Sequence, residues 1–419
     1  MLDESPFTPA VDRARSDVRR YYLYQATMSQ GFIAPIIIEY VLHRGLSYSA
    51  VGLLTALFTL TTLLGEVPAG YLGDRLGRRT MLVAGSLLTI VAMLSFGLSG
   101  TFSGFLVAYV VWAIGIVLRS GVASAWLYDT LTQTSEAEQF TAVQGRAKAF
   151  ELVVSAITAL LGAWLATIDW LYPFLGNAGL YLLSIGAVLG LSTSVGDRSD
   201  AETFTPFDAV PAVREFLSVP GLRAFVVYSG LFTAYLSLVA TFTQPVATSV
   251  GVTIAQLGWL YAGFSLVSAA LTFFSGAIER IVGIRSWFLG APLFIGSLFV
   301  VAPVYPLVAL FALVACRAAR NVSKPLQEQY LNYHADSIGR ATILSTVVMI
   351  SMTFMIGFRA LGGLLADVTS PINMLAMMTV AMLAGLWLIV AVESPVPAEL
   401  VPSAGSCDDG VATGTEVNE

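Results

Sequence analysis

Ionisable side chains interrupt several long apolar stretches of the sequence, and these residues could do chemistry. They are Glu39, Glu66, Arg119, Arg317, Arg320 and Arg359. If the stretches cross a bilayer, each charge costs roughly 2.5–3.5 kcal/mol on insertion scales, so each needs a partner or a task. A buried acid can take up and release a proton, and an arginine can bind an anion or brace an acid. The residue types therefore suit proton exchange and anion binding.

The composition indicates that the stretches do cross a bilayer. Of 419 residues, 56% are hydrophobic and 11% are charged, whereas a soluble domain carries about 25% charged residues. The mean hydropathy is +0.78, and the apolar residues fall in blocks of roughly 20, the length that crosses a ~30 Å hydrocarbon core. Disordered proteins, coiled coils and soluble enzymes are excluded. Two histidines and two cysteines predict neither a metal site nor a disulfide framework, and we expect no cofactor.

The apolar blocks predict an all-α polytopic membrane protein with twelve transmembrane helices. The blocks are 20–42, 50–72, 80–99, 102–126, 147–167, 173–193, 223–247, 256–278, 286–302, 304–323, 341–365 and 371–392. The longest internal break separates two six-span halves. The predicted division is a cytoplasmic N-terminal tail (1–19), an N-terminal six-helix bundle (20–193), a cytoplasmic central loop (194–222), a C-terminal six-helix bundle (223–392) and an acidic disordered tail (393–419).

The basic residues predict the orientation. With both termini in the cytoplasm, the inner segments hold sixteen of them, and the outer loops hold only Arg44. The sixteen are Arg13, Arg15, Arg19, Arg20, Arg75, Arg78, Arg79, Arg146, Lys148, Arg198, Arg214, Arg223, Arg280, Arg285, Lys324 and Arg340. This positive-inside bias predicts a multi-pass protein of the cell membrane with both termini inside. The N-terminus has no apolar core and does not resemble a secretory signal.

Depth in the membrane suggests partners for the buried charges. Glu66 and Arg119 both lie about 24–26 Å from the outer ends of their spans, at 1.5 Å per residue, so we expect them to form an ion pair. Arg359 is expected to pair with Asp367 or Glu39 rather than with substrate. The candidates for ion coupling are Glu66, Arg119, Glu39 and Asp129. A static brace is the alternative role for the Glu66–Arg119 pair, and contact with water near the outer end of span 1 is the alternative for Glu39.

Polar and aromatic residues at middle depth suggest a substrate cavity. Such side chains, few among many apolar ones, suit an amphipathic ligand. The candidates are Gln30, Trp112, Tyr235, Gln244, Tyr261, Arg317, Arg320 and Asn321. An aromatic residue in so apolar a helix also often faces lipid or a packed neighbour, which is the alternative for the aromatic candidates. A buried acid is the alternative partner for Arg317.

An internal repeat relates the two halves. The stretch that opens span 2 contains Gly52, and the similar stretch that opens span 8 contains Gly258, 206 residues later. Asp74-Arg75 after span 2 corresponds to Glu279-Arg280 after span 8. Repeats related by an axis along the membrane normal build one known transporter plan, in which substrate binds between the halves near the midplane.

The loop between spans 2 and 3 carries a family resemblance. It reads Gly70-Tyr71-Leu72-Gly73-Asp74-Arg75-Leu76-Gly77-Arg78-Arg79. This resembles the signature loop of the major facilitator superfamily, G-x-L-[AG]-D-[RK]-x-G-[RK]-[RK], at every specified position. The segment from Ser120 to Asp129 resembles a drug-efflux-like bacterial and archaeal branch of that family. The sequence departs from the family's span 4 antiporter signature, since no Gln-Gly step follows Arg119.

The resemblance implies roles for the loop. Gly70 and Gly73 would let a neighbouring helix approach closely, and Gly77 would permit the tight turn. Asp74 would reach the start of span 11 and brace the cytoplasmic side, forming a conformational latch. Arg75, Arg78 and Arg79 would pair with acids or anionic headgroups.

The predicted function is secondary active transport of a small solute by alternating access, and the chain is not predicted to be an enzyme. The leading prediction is proton-coupled efflux of drug-like or amphipathic compounds. A symporter or uniporter for a metabolite or organic anion is the alternative, and a non-transporting sensor or scaffold is the third possibility. The expected partners are a small-molecule substrate, protons and the lipid bilayer, with no nucleic acid and a monomeric state.

Overall fold

The computed structural model describes residues 8–133, 137–190, 218–273, 280–334 and 340–396, and every regular element within them is helical. The α-helices, numbered in chain order, are α1 (Thr8–Thr27), α2 (Ile37–His43), α3 (Tyr48–Leu76), α4 (Arg78–Leu98), α5 (Phe102–Val117), α6 (Val122–Gln133), α7 (Phe140–Ile168), α8 (Leu171–Leu189), α9 (Pro220–Ser249), α10 (Ile254–Phe273), α11 (Ile284–Val301), α12 (Val308–His334), α13 (Arg340–Val368) and α14 (Pro371–Val392). The predicted all-α class is confirmed. The central loop and the acidic tail lie almost wholly outside the described residues, so the domain boundaries stay a prediction.

Within these ranges, ten helical segments are long and apolar enough to cross a membrane. Two further predicted spans do not meet that criterion, for reasons that the sequence explains. Span 1 is divided into α1 and α2, and α12 carries Arg317, Arg320 and Lys324, which lower its hydropathy. With these two the described helices account for the twelve predicted spans.

Span 1 is not the continuous helix that the sequence predicts. Residues 28–36 between α1 and α2 form turns, and the Ser29 hydroxyl accepts a hydrogen bond from the N–H of Gly31 at 3.1 Å. A Cβ on Gly31 would lie 2.0 Å from Oγ1 of Thr158 on α7, and a Cβ on Gly162 would lie 2.1 Å from the carbonyl oxygen of Phe32. Non-helical backbone is tolerated at this depth because it is packed against protein rather than lipid.

Span 4 is also interrupted. The helix α5 ends at Val117 and α6 begins at Val122, and Gly121 between them has φ +69°. Glycine adopts this left-handed conformation without steric cost, so it is a natural position for the break. The predicted span 102–126 is therefore two helices that meet next to Arg119.

The internal repeat is visible in backbone geometry. Gly77 between α3 and α4 has φ 78° and ψ 150°, and Gly283 before α11 has φ 70° and ψ 152°. Gly45 and Gly251, before α3 and α10, also have positive φ. Both pairs are separated by 206 residues, the spacing of Gly52 and Gly258 in the sequence. The two halves, α1–α8 and α9–α14, therefore repeat the same turns, as the predicted pseudo-symmetry requires.

Two pairs of helices make the most extensive contacts between the halves. The helix α3 packs against α13, and α7 packs against α10. One large apolar core runs through both halves and includes Phe96, Phe105 and Phe174 from the first and Phe232 and Phe299 from the second. The end of the molecule at which these helix pairs touch is closed, and the end at which they separate is open.

Candidate functional site

One end of the molecule, called here the closed end, is held by a helix cap that crosses between the halves. The carboxylate of Asp367 near the end of α13 accepts hydrogen bonds from the backbone N–H groups of Tyr48, at 2.7 Å, and Ser49, at 2.9 Å. These are free N–H groups of the first turn of α3, where the helix dipole favours a negative charge. Asp367 was predicted as a partner of Arg359. That prediction is wrong, because the carboxylate caps α3 instead.

Small residues allow the joining helices to touch at the same end. A Cβ on Gly52 would lie 2.3 Å from the carbonyl oxygen of Arg359, and a Cβ on Gly363 would lie 2.6 Å from that of Tyr48. On the other pair, a Cβ on Gly258 would lie 2.8 Å from the Cβ of Ala163. Gly52 and Gly258 are equivalent in the repeat, so each half supplies a glycine on which a helix of the other half rests.

Gln244 of α9 joins the halves through hydrogen bonds. Its side-chain carbonyl accepts from the N–H groups of Ile38, at 2.8 Å, and Glu39, at 3.1 Å. Its amide donates to the carbonyl of Ala34 at 2.6 Å and to the hydroxyl of Tyr261 at 3.3 Å. The side chain predicted to line the substrate cavity thus closes one end of the molecule instead, at the broken span 1.

The opposite end, called here the open end, carries the signature loop. Arg78 forms an ion pair with Asp129 of α6, Arg79 donates to the carbonyl of Leu189 at the end of α8, and the Arg75 guanidinium lies 4.4 Å above the ring of Tyr71. All three contacts stay within the first half. The acidic partner of Arg78 is thus Asp129, one of the coupling candidates.

The expected close approach of a helix to Gly70 and Gly73 is not found. A Cβ on either glycine would meet no atom of the described residues within 4 Å, and the close approach predicted from the motif stays a prediction. The side chain of Asp74 and residues 335–339 before span 11 lie outside the described part of the chain, and the latch stays a prediction.

Arg119 does not pair with Glu66. Its Nε donates to the carbonyl of Gly115 at 3.0 Å, an Nη donates to Oγ1 of Thr89 at 3.0 Å, and the guanidinium lies 4.9 Å above the ring of Tyr181. The other Nη is 2.6 Å from the sulfur of Met28. The guanidinium therefore fastens the break in span 4 to α4, α8 and the end of α1.

The failed pairing has a geometric cause. A Cβ on Gly65 would lie 3.3 Å from Cγ1 of Val117, so the depths of the two spans do match as predicted. Successive helical residues are rotated by about 100°, however, and Glu66 shares the face of Thr59, two turns away. That face of α3 meets α13 nearer the closed end, where Thr59 accepts a hydrogen bond from Arg359, and Glu66 is exposed.

Arg359 links the two halves through hydrogen bonds to oxygen atoms that do not belong to acidic residues. One Nη donates to the carbonyl of Thr55, at 2.9 Å, and to the hydroxyl of Thr59, both on α3, and the other donates to Oγ of Ser237 at 2.8 Å. The predicted pairing with Glu39 is wrong. Instead, Glu39 accepts a hydrogen bond from the Thr248 hydroxyl at 2.9 Å. Hydroxyl and carbonyl oxygens thus take the place of a counter-ion for Arg359.

Two connected cavities lie in the second half. The smaller one is bordered by Tyr261, Phe264, Arg317 and Arg320. The larger one lies between α9, α12 and α13, with about 830 Å³ of empty space including the part open to solvent, and Arg320 borders it too. Among the described residues no acidic oxygen lies within 4 Å of the guanidinium of Arg317 or Arg320. Arg320 therefore presents an unpaired charge to both cavities.

The remaining predicted cavity residues lie elsewhere. Trp112 packs among Phe58, Phe96 and Tyr109, and the Tyr235 hydroxyl is hydrogen-bonded to Thr379 in the core. The side-chain amide of Asn321 donates to the Ser268 hydroxyl at 2.7 Å.

Gln30 borders a separate cavity in the first half, next to Arg119. Only Tyr261, Arg317 and Arg320 of the eight predicted side chains border the cavities of the second half.

Several polar residues of the larger cavity were not predicted. Ser323 and Gln327 lie three and seven residues after Arg320 on α12, and Thr233 and Ser351 face them from α9 and α13. The spacing i, i+3, i+7 from Arg320 marks one face of a helix, and this signal was available in the sequence. Nothing comparable distinguishes Thr233 and Ser351 from the other small polar residues of their helices.

Two repeated helical halves, closed against each other at one end and enclosing polar cavities, define a membrane transporter. The family model of the Major Facilitator Superfamily matches residues 25–342, across both halves. The chain belongs to this superfamily, whose members are transporters and not enzymes.

Individual relatives are distant. The chain is 23% identical to the uncharacterized MFS-type transporter YxaM of Bacillus subtilis (strain 168) over 274 residues, which cover 62% of this chain and 67% of that protein. It is 23% identical to the quinolone resistance protein NorA of Staphylococcus aureus (strain MRSA252) over 222 residues, 49% of this chain and 55% of that one. The chain thus spans about half the length of this drug-resistance relative.

A solved structure shares the fold. The nucleoside transporter NupG superposes with a TM-score of 0.75 at 10% identity, covering 91% of this chain and 98% of NupG. The identity is low, so this likeness is evidence for the fold alone.

Proposed function

We propose that this protein is a secondary active transporter that moves a small solute by alternating access, and that the conformation described here faces the cytoplasm. The observation that carries the proposal is the asymmetry between the two ends. Gly52, Gly363 and Gly258 touch the opposite half at the closed end, whereas a Cβ on Gly70 or Gly73 at the open end would meet no atom of the described residues within 4 Å. The positive-inside prediction places the open end, with Arg75, Arg78 and Arg79, in the cytoplasm.

Alternating access requires that the closed end can open. The contacts described there are backbone approaches and hydrogen bonds, which can separate. They are made at Gly52, Gly363, Asp367 and Gln244. The opening of that end would free the caps made by Asp367 and Gln244, and closure of the other end would bring a helix to Gly70 and Gly73. The superfamily signature loop at the open end supports this second contact.

Export coupled to protons is the direction that we propose. The similarity to a quinolone resistance protein supports it, and Glu39 and Glu66 are the acids best placed to carry the proton. Glu39 is hydrogen-bonded across the halves at the closed end, and Glu66 is exposed. The second candidate, uptake or exchange of a metabolite or organic anion, is favoured by the unpaired charge of Arg320.

The test of alternating access compares two alanine substitutions in one helix. Gly363→Ala places a Cβ against the carbonyl of Tyr48 and should hold the closed end apart, whereas Gly357→Ala in the same helix meets no atom within 4 Å. Overpacking of this kind costs about 1–3 kcal/mol, so we expect about a tenfold or greater fall in transport for Gly363→Ala only. Proteoliposomes with an imposed pH gradient and a panel of lipophilic cations, sugars and organic anions provide the measurement.

Asp74→Asn is the companion variant, because it should impair a cycling transporter and leave the partner binding of a scaffold intact. Equal transport by Gly363→Ala and Gly357→Ala would contradict the assignment of the closed end. For the proton, Glu39→Gln and Glu66→Gln should each remove gradient-driven accumulation while solute exchange continues. Uphill transport that survives both substitutions would exclude these acids as the coupling groups.

A further inference from the structure

We infer that the larger cavity of the second half binds the acidic group of an amphipathic organic anion, with Arg320 as the principal charged ligand. The inference rests on the proposed transport function and specifies the class of its cargo.

The balance of charge around the cavity is the first argument. Several basic side chains elsewhere in the described residues form ion pairs with acids, as in the Arg78–Asp129, Lys148–Glu151 and Arg223–Glu393 pairs. Arg317, Arg320 and Arg359 have none, and Arg320 repels both of the others. Clustered positive charge within a membrane protein is costly unless something neutralises it. The cluster therefore favours a ligand that brings negative charge.

The hydrogen-bond partners separate Arg320 from its neighbours. Arg359 donates to three oxygen acceptors on α3 and α9, so most of its bonding capacity is used. Arg317 lies 6.0 Å from the Phe264 ring, and its Nε is buried without a partner. The side chain of Arg320 is exposed to the cavities and makes no hydrogen bond with the described residues. Its planar guanidinium can bind a carboxylate with two parallel hydrogen bonds.

The nearest acid does not cancel this charge. Glu328 borders the same cavity, but its carboxylate lies 3.9 Å from Nζ of Lys324. It also follows Arg320 by eight residues on α12, which separates their backbones by roughly 12 Å. The cavity thus has a balanced pair near the open end and an unbalanced arginine deeper inside.

The lining indicates the shape of the ligand. Ser323, Gln327 and Ser351 provide hydroxyl and amide groups to the lining, whereas Leu344, Val347 and Met355 provide an apolar wall. An acidic head on Arg320 with a flat or branched hydrocarbon body against this wall uses both surfaces. A lipophilic cation in the same place would be repelled by the positive charge of Arg320, because no acidic counter-ion among the described residues lies beside it.

Three probes with one ring system test the charge requirement. They are naphthalene carboxylate, its uncharged carboxamide and the corresponding methylammonium, offered to the purified full-length protein in zwitterionic nanodiscs. We expect the carboxylate to bind and to raise the melting temperature, and the ammonium not to bind. Arg320→Gln should weaken carboxylate binding about tenfold to a hundredfold, since a hydrogen bond to a charged group contributes that much, and should leave the weaker carboxamide binding unchanged.

Lys324→Gln is the matched control, because it removes the same charge one turn away on the same helix, from a residue that Glu328 already neutralises. An equal loss of binding in Arg320→Gln and Lys324→Gln would overturn the site in favour of a diffuse positive field. If Arg320→Gln does not fold, Arg320→Lys is the second variant. It keeps the positive charge but loses the two parallel N–H donors of the guanidinium, so it should bind the carboxylate more weakly than the wild type. Carboxylate binding no tighter than carboxamide binding in the wild type would also overturn the proposal.

Two further measurements separate a transported cargo from a bound lipid headgroup. In nanodiscs that contain phosphatidylglycerol, carboxylate binding should persist, whereas its complete displacement would identify a lipid headgroup as the occupant and overturn the cargo assignment. Binding does not depend on transport. Carboxylate that binds but is not moved in proteoliposomes would therefore count against the transport function and leave the anion site standing. A transported cation without carboxylate binding would count against the anion site alone.

Discussion

Arg119 lies in span 4 of the first half and Arg320 in span 10, the corresponding span of the second half, yet their surroundings differ completely. Arg119 is held by Gly115, Thr89 and the ring of Tyr181, whereas Arg320 faces open cavities without a bonded partner among the described residues. The first arginine fastens a broken helix, and the second is free for a ligand. Corresponding spans of the two halves thus each carry an arginine, and the local neighbours give the two charges different surroundings.

The largest expected effect separates the two arginines by stability. Arg119→Gln removes charge-assisted hydrogen bonds to two oxygen acceptors and should lower the free energy of unfolding by about 3 kcal/mol. Arg320→Gln removes an unpaired charge from the membrane interior and should leave stability unchanged or slightly higher. Reversible unfolding in mixed micelles, followed by circular dichroism, measures both. Equal destabilisation by the two substitutions would remove the distinction between a structural and a binding arginine.

A second comparison concerns two helix caps. Asp367 caps α3 across the halves, whereas Asp169 caps α8 within the first half, with its carboxylate 2.8 Å from the N–H of Leu171. Loss of a capping charge costs about 1 kcal/mol. Asp367→Asn should therefore open the closed end and speed amide hydrogen exchange around Tyr48 and Ser49 about fivefold.

Asp169→Asn should accelerate exchange only near Leu171. Exchange at the start of α3 that is unchanged in Asp367→Asn would show that the cap does not hold the halves together.

The smallest effects compare the glycine turns. Gly77→Ala and Gly283→Ala should each cost about 1 kcal/mol, because both residues have φ near +70 to +80°. Gly73→Ala adds a Cβ that meets no atom of the described residues within 4 Å and should leave stability equal or higher, since alanine favours a helix. Thermal unfolding checks all three. Unequal costs for Gly77 and Gly283 would weaken the equivalence of the two repeats.

The same Gly73→Ala variant also tests the latch. If a helix approaches Gly73 only when the open end closes, transport should fall while stability does not. Normal transport in this variant would contradict the predicted approach.

Much of the fold was predictable because it depends on properties that act along the chain. Blocks of apolar residues mark the spans, since each span must satisfy its backbone and bury its side chains in hydrocarbon. The turn at Gly77 and its counterpart at Gly283 follow from the freedom of glycine to adopt positive φ. The signature loop between Gly70 and Arg79 identified the family without any knowledge of packing.

The partners of the buried charges were decided by the tertiary structure. The depth of Glu66 and Arg119 follows from the sequence, but the rotation of each helix about its axis does not, and that rotation turns Glu66 toward the other half and Arg119 into its own. Arg359 and Gln244 likewise found oxygen and backbone partners across the interface instead of an acid or a ligand. The breaks at Gly31 and Gly121 also depend on contacts with distant helices or on a local turn. Depth is a one-dimensional property of the sequence, whereas the direction of a side chain requires its neighbours in three dimensions.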